Sequence, residues 1–240
     1  RCLSRGIGDV YKRQSVNSSA HIYKICQIWK SKKTWTISWQ DVIRIGKYIS
    51  TKSYCFDKYV SVTGSACVEP KLLKTVSGAS LTELTAGNTN KESRLISGSA
   101  LYGTSGDSYT NYLTRYSDQV TIISDERKAN LFNWLKLGEK DHSATNVFLS
   151  SITKPEKFDF DTNVNGGYRA IVPIGVFDEV NVFDIDPTLF LKSLAIGDLV
   201  ALRELGIFDL IPEDMSVFSY VCPSKYLSLI HISEPTRQAS

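Results

Sequence analysis

Between residues 58 and 104, glycine and proline punctuate the chain so regularly that few folds accommodate it. YVSV at 59–62 has the residue types of a strand, Gly64 and Pro70 bound a turn, LLKTV at 72–76 reads as a second strand, and Gly78 closes it. Ser80 then stands where an N-cap belongs, with Glu83 three residues on as a capping box. Leu81 and Leu84 supply the buried face of a short helix that Gly87 ends. RLIS at 94–97 is the next strand, and strand, turn, strand, helix, strand is the order of a β-grasp.

The flanks predict different structure. In TWTISW, Trp35, Ile37 and Trp39 alternate with Thr34, Thr36 and Ser38 at the period of a half-buried strand. Val42, Ile43, Ile45 and Ile49 follow at helical spacing, with Asp41 placed to support the first turn. A strand feeding a helix reads as the remnant of an α/β domain over 15–57, one that exposes apolar surface. From 105 to 185 the chain reads as mixed and strand-rich, with QVTIIS at 119–124 and GYRAIVPIGVF at 167–177 as strands and ANLFNWLKL as an amphipathic piece.

Residues 186–226 read as helical. Asp186 and Pro187 make an N-cap and first-turn pair before Leu189, Phe190 and Leu194, and Gly197 stops that helix. Asp198 starts another, with Leu199, Leu202 and Leu205 inward and Gly206 at its end. The expected fold class is therefore α+β: a β-grasp module over 58–104, a preceding α/β fragment and a small carboxy-terminal helical region.

The ends stand apart from this pattern. RCLSRGIGDVYKRQ (1–14) and LSLIHISEPTRQAS (227–240) lack a periodic apolar face and resemble translated sequencing-adapter read-through, so both are expected to be non-native and dispensable. They hold five basic and two acidic residues, and without them the 28 Lys and Arg and 25 Asp and Glu become 23 of each. The apparent net charge of +3 disappears, and with it the compositional support for a nucleic-acid or anionic-lipid surface. Lys30, Lys32 and Lys33 read as a solvated loop. Cys26, Cys55, Cys67 and Cys222 show no close pairing and read as reduced thiols of a cytoplasmic protein. No apolar run approaches the ~20 residues that cross a bilayer and no leader opens the chain, so membrane association is expected through a partner or an interfacial surface.

Candidate chemistry is sparse. Cys222 with Pro223 looks like the tail of an iron-sulfur motif, but positions 212–221 contain no cysteine and a cluster needs four converging thiolates. His142 lies between Asp141 and Ser143, yet adjacent side chains cannot form a base, orienter and nucleophile unaided. His21 has no partner near it in sequence, and His231 lies in the excluded tail. Asp159 and Asp161 alternate with Phe158 and Phe160, as a half-exposed strand does without any function. Gly166 and Gly167 before Tyr168 and Arg169 lead toward a strand rather than a helix, which suits a tight turn better than a phosphate cradle. Gly166, Gly167 and Arg169 are the candidate partner contact; the residues specify neither a catalytic group nor a metal site.

Several blocks carry a family resemblance: WQDVIRIGKYI (39–49), VSVTGSACVEP (60–70), SGASLTELTAG (77–87), SRLISGSALYG (93–103), VNGGYRAIVPIG (164–175) and YVCPSK (220–225). In order and spacing they resemble the A subunit of the sodium-pumping NADH:quinone oxidoreductase, in its carboxy-terminal half, with 58–104 similar to the soluble-ligand-binding β-grasp module of respiratory subunits. The resemblance implies a peripheral protein on the cytoplasmic face of the bacterial inner membrane, with scaffold or quinone-interaction duty and no catalysis by this fragment alone. It implies no cofactor here, flavins and iron-sulfur centres on partner subunits, quinone as substrate of the complex, and no nucleic acid. The run of cluster cysteines found in the C subunit of the related Rnf complex is missing. The alternative reading is a β-grasp ligand-binding module of another class, such as a glycan-binding export protein, for which a signal peptide and repeated modules are expected.

Overall fold

In the computed structural model, the described residues are 19, 20, 22, 23, 35–89, 92–106, 111–125, 137–139, 148–153 and 170–222. The chain divides into two compact units, residues 37–165 and a second made of residues 1–36 with 166–240.

The first unit is built on a five-stranded mixed sheet. Helix α1 (Trp39–Thr51) precedes β1 (Asp57–Thr63), β2 (Lys71–Val76), the short helix α2 (Leu81–Leu84), β3 (Ser93–Ser97), β4 (Thr104–Ser105) and β5 (Gln119–Ser124). The sheet order is β2-β1-β5-β3-β4. β1 pairs antiparallel with β2 from Asp57↔Val76 to Val62↔Lys71, and parallel with β5 from Ser61↔Gln119 to Thr63↔Thr121. β3 pairs antiparallel with β5 and with β4. Two antiparallel hairpin strands, a short helix and a parallel pair of inner strands give the sheet its β-grasp character, and β5 at 119–124, beyond the 58–104 expected for the module, supplies half of that parallel pair.

Alternation along the strands sets the core. Val60 and Val62 of β1 and Val120 and Ile122 of β5 point to one face, where they meet Ala66, Leu81 and Leu113. Burying each such aliphatic side chain contributes about 1.5–3 kcal/mol. Gly64 is required by close approach: its φ is +139°, and a Cβ there would sit 2.0 Å from the Ile122 carbonyl oxygen. Ser80 takes the N-cap position of α2 without a side-chain cap bond. Its hydroxyl pairs with Thr82 Oγ1 at 2.7 Å, so the expected capping box is not formed.

Two expected strands are corrected. Residues 35–38 form no strand, and Trp39 already begins α1. Ser38 diverts the chain, accepting the Asp41 amide hydrogen bond at 3.2 Å while its hydroxyl donates to Asp41 Oδ2 at 2.9 Å. In the described part of 167–177, residues 170–175 form no strand and Val176–Val180 is helix α4. Pro173 has no amide to donate to a ladder, and Gly175 turns left-handed at φ 80°. The preceding helix α3 (Ser150–Thr153) belongs to the sheet-containing unit. ANLFNWLKL lies outside the described residues except for Leu137.

The second unit is helical in its described residues. α4 is followed by α5 (Pro187–Ile196), α6 (Leu199–Glu204), the 3-10 turns Ile207–Asp209 and Pro212–Asp214, and α7 (Met215–Val221). Both capping assignments hold: Asp186 Oδ1 accepts from the Leu189 amide at 2.9 Å, and Asp198 Oδ1 accepts from Val200 and Ala201 at 3.1 Å. Gly197 ends α5 in the left-handed region. Phe177, Phe190, Leu191, Leu194, Leu202, Met215 and Phe218 form the core. Residues from far upstream join it: Ala20 is buried there, Tyr23 packs edge-on against Phe183 at 5.4 Å, and Ser19 donates to Asp214 Oδ1 at 2.6 Å.

Candidate functional site

β1 has a half-open edge. β2 pairs with it along its length, but β5 joins only from Ser61 onward, leaving Asp57 and Tyr59 without a strand neighbour on that side. Backbone groups left this way need other partners. Helix α1 supplies them with side chains. The Gln40 carboxamide donates through Nε2 to the Tyr59 carbonyl at 2.8 Å and accepts from the Tyr59 amide through Oε1 at 2.9 Å. One turn on, Arg44 Nε donates to the Asp57 carbonyl at 3.0 Å. Together with the Ser61 amide, which donates to the Asp118 carbonyl at 3.1 Å, these bonds continue the ladder beyond the end of β5.

The same edge gathers charge. Arg44 Nη1 bonds Asp41 Oδ1 at 2.9 Å, and Arg115 Nη2 approaches the same oxygen at 3.8 Å. Arg44 Nη2 is buried without a hydrogen-bond partner among the described residues. Lys58 is 1% exposed, its ammonium donating to the carbonyls of Thr114 (3.2 Å) and Arg115 and lying 3.6 Å from Asp118 Oδ1. Burial pushes the Lys58 ammonium below the usual lysine range, and the Asp118 carboxylate opposes that shift. The Ser38 hydroxyl, then Arg115 and Arg44, hold Asp41 below the usual carboxylate range. Apart from Arg44 Nη2, the donors named here are aimed at carbonyls or carboxylates of the same unit. Chemically the cluster fixes α1 and the 111–118 segment against β1; it is a positioning device rather than a reacting one.

With its polar side consumed by the sheet edge, α1 turns its apolar residues outward. Gln40 is 5% exposed, whereas Val42 is 53%, Ile45 49% and Ile49 63% exposed. The exposed apolar surface expected of this segment is therefore present, on the helix rather than on a strand. Trp35 is 91% exposed ahead of it.

Gly166, Gly167 and Arg169 lie outside the described residues, as do His21, His142, His231, Asp159, Asp161 and Cys26. Cys55, Cys67 and Cys222 are not joined to one another by disulfides. Cys222 packs at the margin of the helical core. Among the described residues no group of three or more His, Cys, Asp or Glu is placed to hold a metal ion. Sequence reasoning missed Lys58, Gln40 and Arg44. For Lys58 a signal existed: it shares the strand parity of Val60 and Val62, so a lysine stood at a core-facing position of β1.

The β-grasp region coincides with a known domain. Residues 59–107 match the family described as the NQRA C-terminal domain. The match runs from within β1 through β4, taking in the hairpin and α2, and ends before β5. Over 210 residues, 87% of the chain, the sequence is 39% identical to the A subunit of the Na(+)-translocating NADH-quinone reductase of Neisseria meningitidis serogroup B and 40% identical to that of Neisseria gonorrhoeae strain FA 1090. It is 39% identical over 206 residues to the corresponding protein of Actinobacillus pleuropneumoniae serotype 5b. The aligned part covers 47%, 47% and 46% of these relatives, so the chain spans about half the length of the curated relatives it matches. The resemblance to NQRA read from the sequence is thus shown, and the glycan-binding alternative is not favoured.

Proposed function

We propose that this chain is the carboxy-terminal half of an NQRA protein that works in a membrane complex coupling NADH oxidation and quinone reduction to sodium export. The single observation that carries this reading is the alignment of 87% of the chain at 39% identity, with the NQRA domain match falling on the sheet. Its role is that of scaffold or quinone-interaction subunit, catalytically inert alone. The cation-stitched edge of β1 supports a positioning role, since its groups are engaged in holding structure. Flavins and iron-sulfur centres reside on partner subunits, and quinone is the substrate of the complex. No helix of the described residues is long and apolar enough to cross a membrane. In this reading the chain meets the bilayer through the partner subunits, on the cytoplasmic face of the inner membrane. Gly166, Gly167 and Arg169 are proposed as a partner contact.

The test is complementation. The chain is joined to the remainder of the N. meningitidis protein and expressed in membranes lacking the native one, and sodium-dependent NADH:quinone activity is measured. Restoration supports the reading. Failure of an assembled chimera where the native protein succeeds overturns it. In the active chimera, Arg169→Ala lowers assembly or quinone turnover if the GGYR segment is a contact and leaves both intact if it is only a turn.

A further inference from the structure

Helix α1 is amphipathic in the inverse sense to a helix that packs on its own core. At about 3.6 residues per turn, Gln40, Arg44 and Thr51 fall on one side and Val42, Ile45 and Ile49 on the other. The first side meets the edge of β1 through the Gln40 and Arg44 bonds. The second, with Trp39 at its amino end and Ile43 at its flank, faces outward. Apolar residues gathered on one side of a helix and left uncovered mark a surface that another element covers.

Gly46 sharpens this. It sits on the outward face, ringed by the i±3 and i±4 neighbours Val42, Ile43, Ile49 and Ser50. A Cβ added there would meet nothing within 4 Å among the described residues, and the φ of Gly46 is not in the left-handed region, so no described contact in this unit explains a glycine. Glycine inside a helix weakens it relative to alanine. What a glycine gives in return at such a place is a notch into which a second backbone can settle, as small residues do where helices cross closely.

We infer that the outward face of α1 is the seat of a helix from the part of the longer NQRA protein that this chain does not include, crossing α1 at Gly46. The inference rests on the NQRA reading proposed above: the matched relatives are about twice as long as the aligned stretch, which leaves chain of comparable length to provide the cover. A helix is the occupant because the missing side chain at Gly46, beside exposed Val42, Ile45 and Ile49, lets a second helix backbone come close.

Carbene footprinting with mass spectrometry reads side-chain exposure without new cysteines. Labelling of Val42, Ile45 and Ile49 is compared between the 240-residue chain and the chimera joined to the remainder of the N. meningitidis protein. The expected result is at least a five-fold fall in labelling of these three residues in the chimera, with exposed Leu72 of β2 unchanged as a control. Gly46→Leu fills the notch; it leaves the melting temperature of the isolated chain unchanged or raised, and returns Val42 and Ile49 labelling in the chimera to within two-fold of the isolated chain. Unchanged labelling in a folded chimera overturns the inference, as does protection that instead grows with concentration of the isolated chain alongside a dimeric mass. Activity restored without protection of α1 removes this inference and leaves the NQRA reading standing; protection without activity does the opposite.

Discussion

Replacing Gln40 by alanine isolates what α1 does for the sheet. The side chain makes two bonds to one residue, accepting the Tyr59 amide at 2.9 Å and donating to the Tyr59 carbonyl at 2.8 Å. Each bond contributes about 0.5–1.5 kcal/mol net, so the pair is worth about 1–3 kcal/mol, or about 5- to 150-fold in a local opening constant at RT ≈ 0.59 kcal/mol. Native-state hydrogen exchange reads this directly at the Tyr59 amide, where β5 offers no alternative partner. Gln40→Ala is expected to speed exchange there by that factor, while the Val60 and Val62 amides change far less. Gln40→Glu separates the two bonds: the carboxylate still accepts from the amide but has no proton for the carbonyl, so Tyr59 protection falls less than in the alanine variant. Exchange at Tyr59 within two-fold of the parent in Gln40→Ala, with stability unchanged within about 0.5 kcal/mol, would mean that water replaces the side chain freely and that α1 does not seal the edge.

Three further outcomes follow from the charges and caps. Because burial lowers the Lys58 ammonium, the unfolded chain binds more protons between that depressed value and the ordinary lysine value; stability therefore rises with pH through that window. Lys58→Met should remove that rise in urea titrations carried up to the ordinary lysine value of about 10.5, leaving the opposite trend of Lys74, whose bond to Asp57 raises its value and whose contribution is lost as pH rises. Asp41, held low, contributes stability that is complete above the ordinary carboxylate range and lost as pH falls toward its folded value, so Asp41→Asn should flatten part of the acid limb of an unfolding profile. Asp186→Ala and Asp198→Ala should each cost the helical unit about 0.5–2 kcal/mol, measured by chemical denaturation with a probe in that unit; losses below about 0.3 kcal/mol would show that solvent caps these helices equally well.

Local chemistry alone determined a good part of this protein. Alternation and turn residues placed β1, β2, β3 and β5, and the Asp-Pro and Asp caps with Gly197 placed α5 and α6, because each depends on residues within one turn or one strand of one another. The quoted blocks also pointed to NQRA, which the match over 59–107 bears out. The same local logic failed at TWTISW, where a serine able to cap a helix overrode a two-residue period that no described strand pairs with. It failed again before Val176, where Pro173 and Gly175 interrupt an apolar run that composition alone reads as strand. Only tertiary structure decided that Lys58 is buried against carbonyls 56 and 57 residues away, that Ser19 reaches Asp214 across 195 residues, and that α1 gives its polar side to β1. The physical reason is common to all three. A side chain's period says which residues share a face, but whether that face meets core, a strand edge or solvent depends on which distant backbone groups are left needing partners.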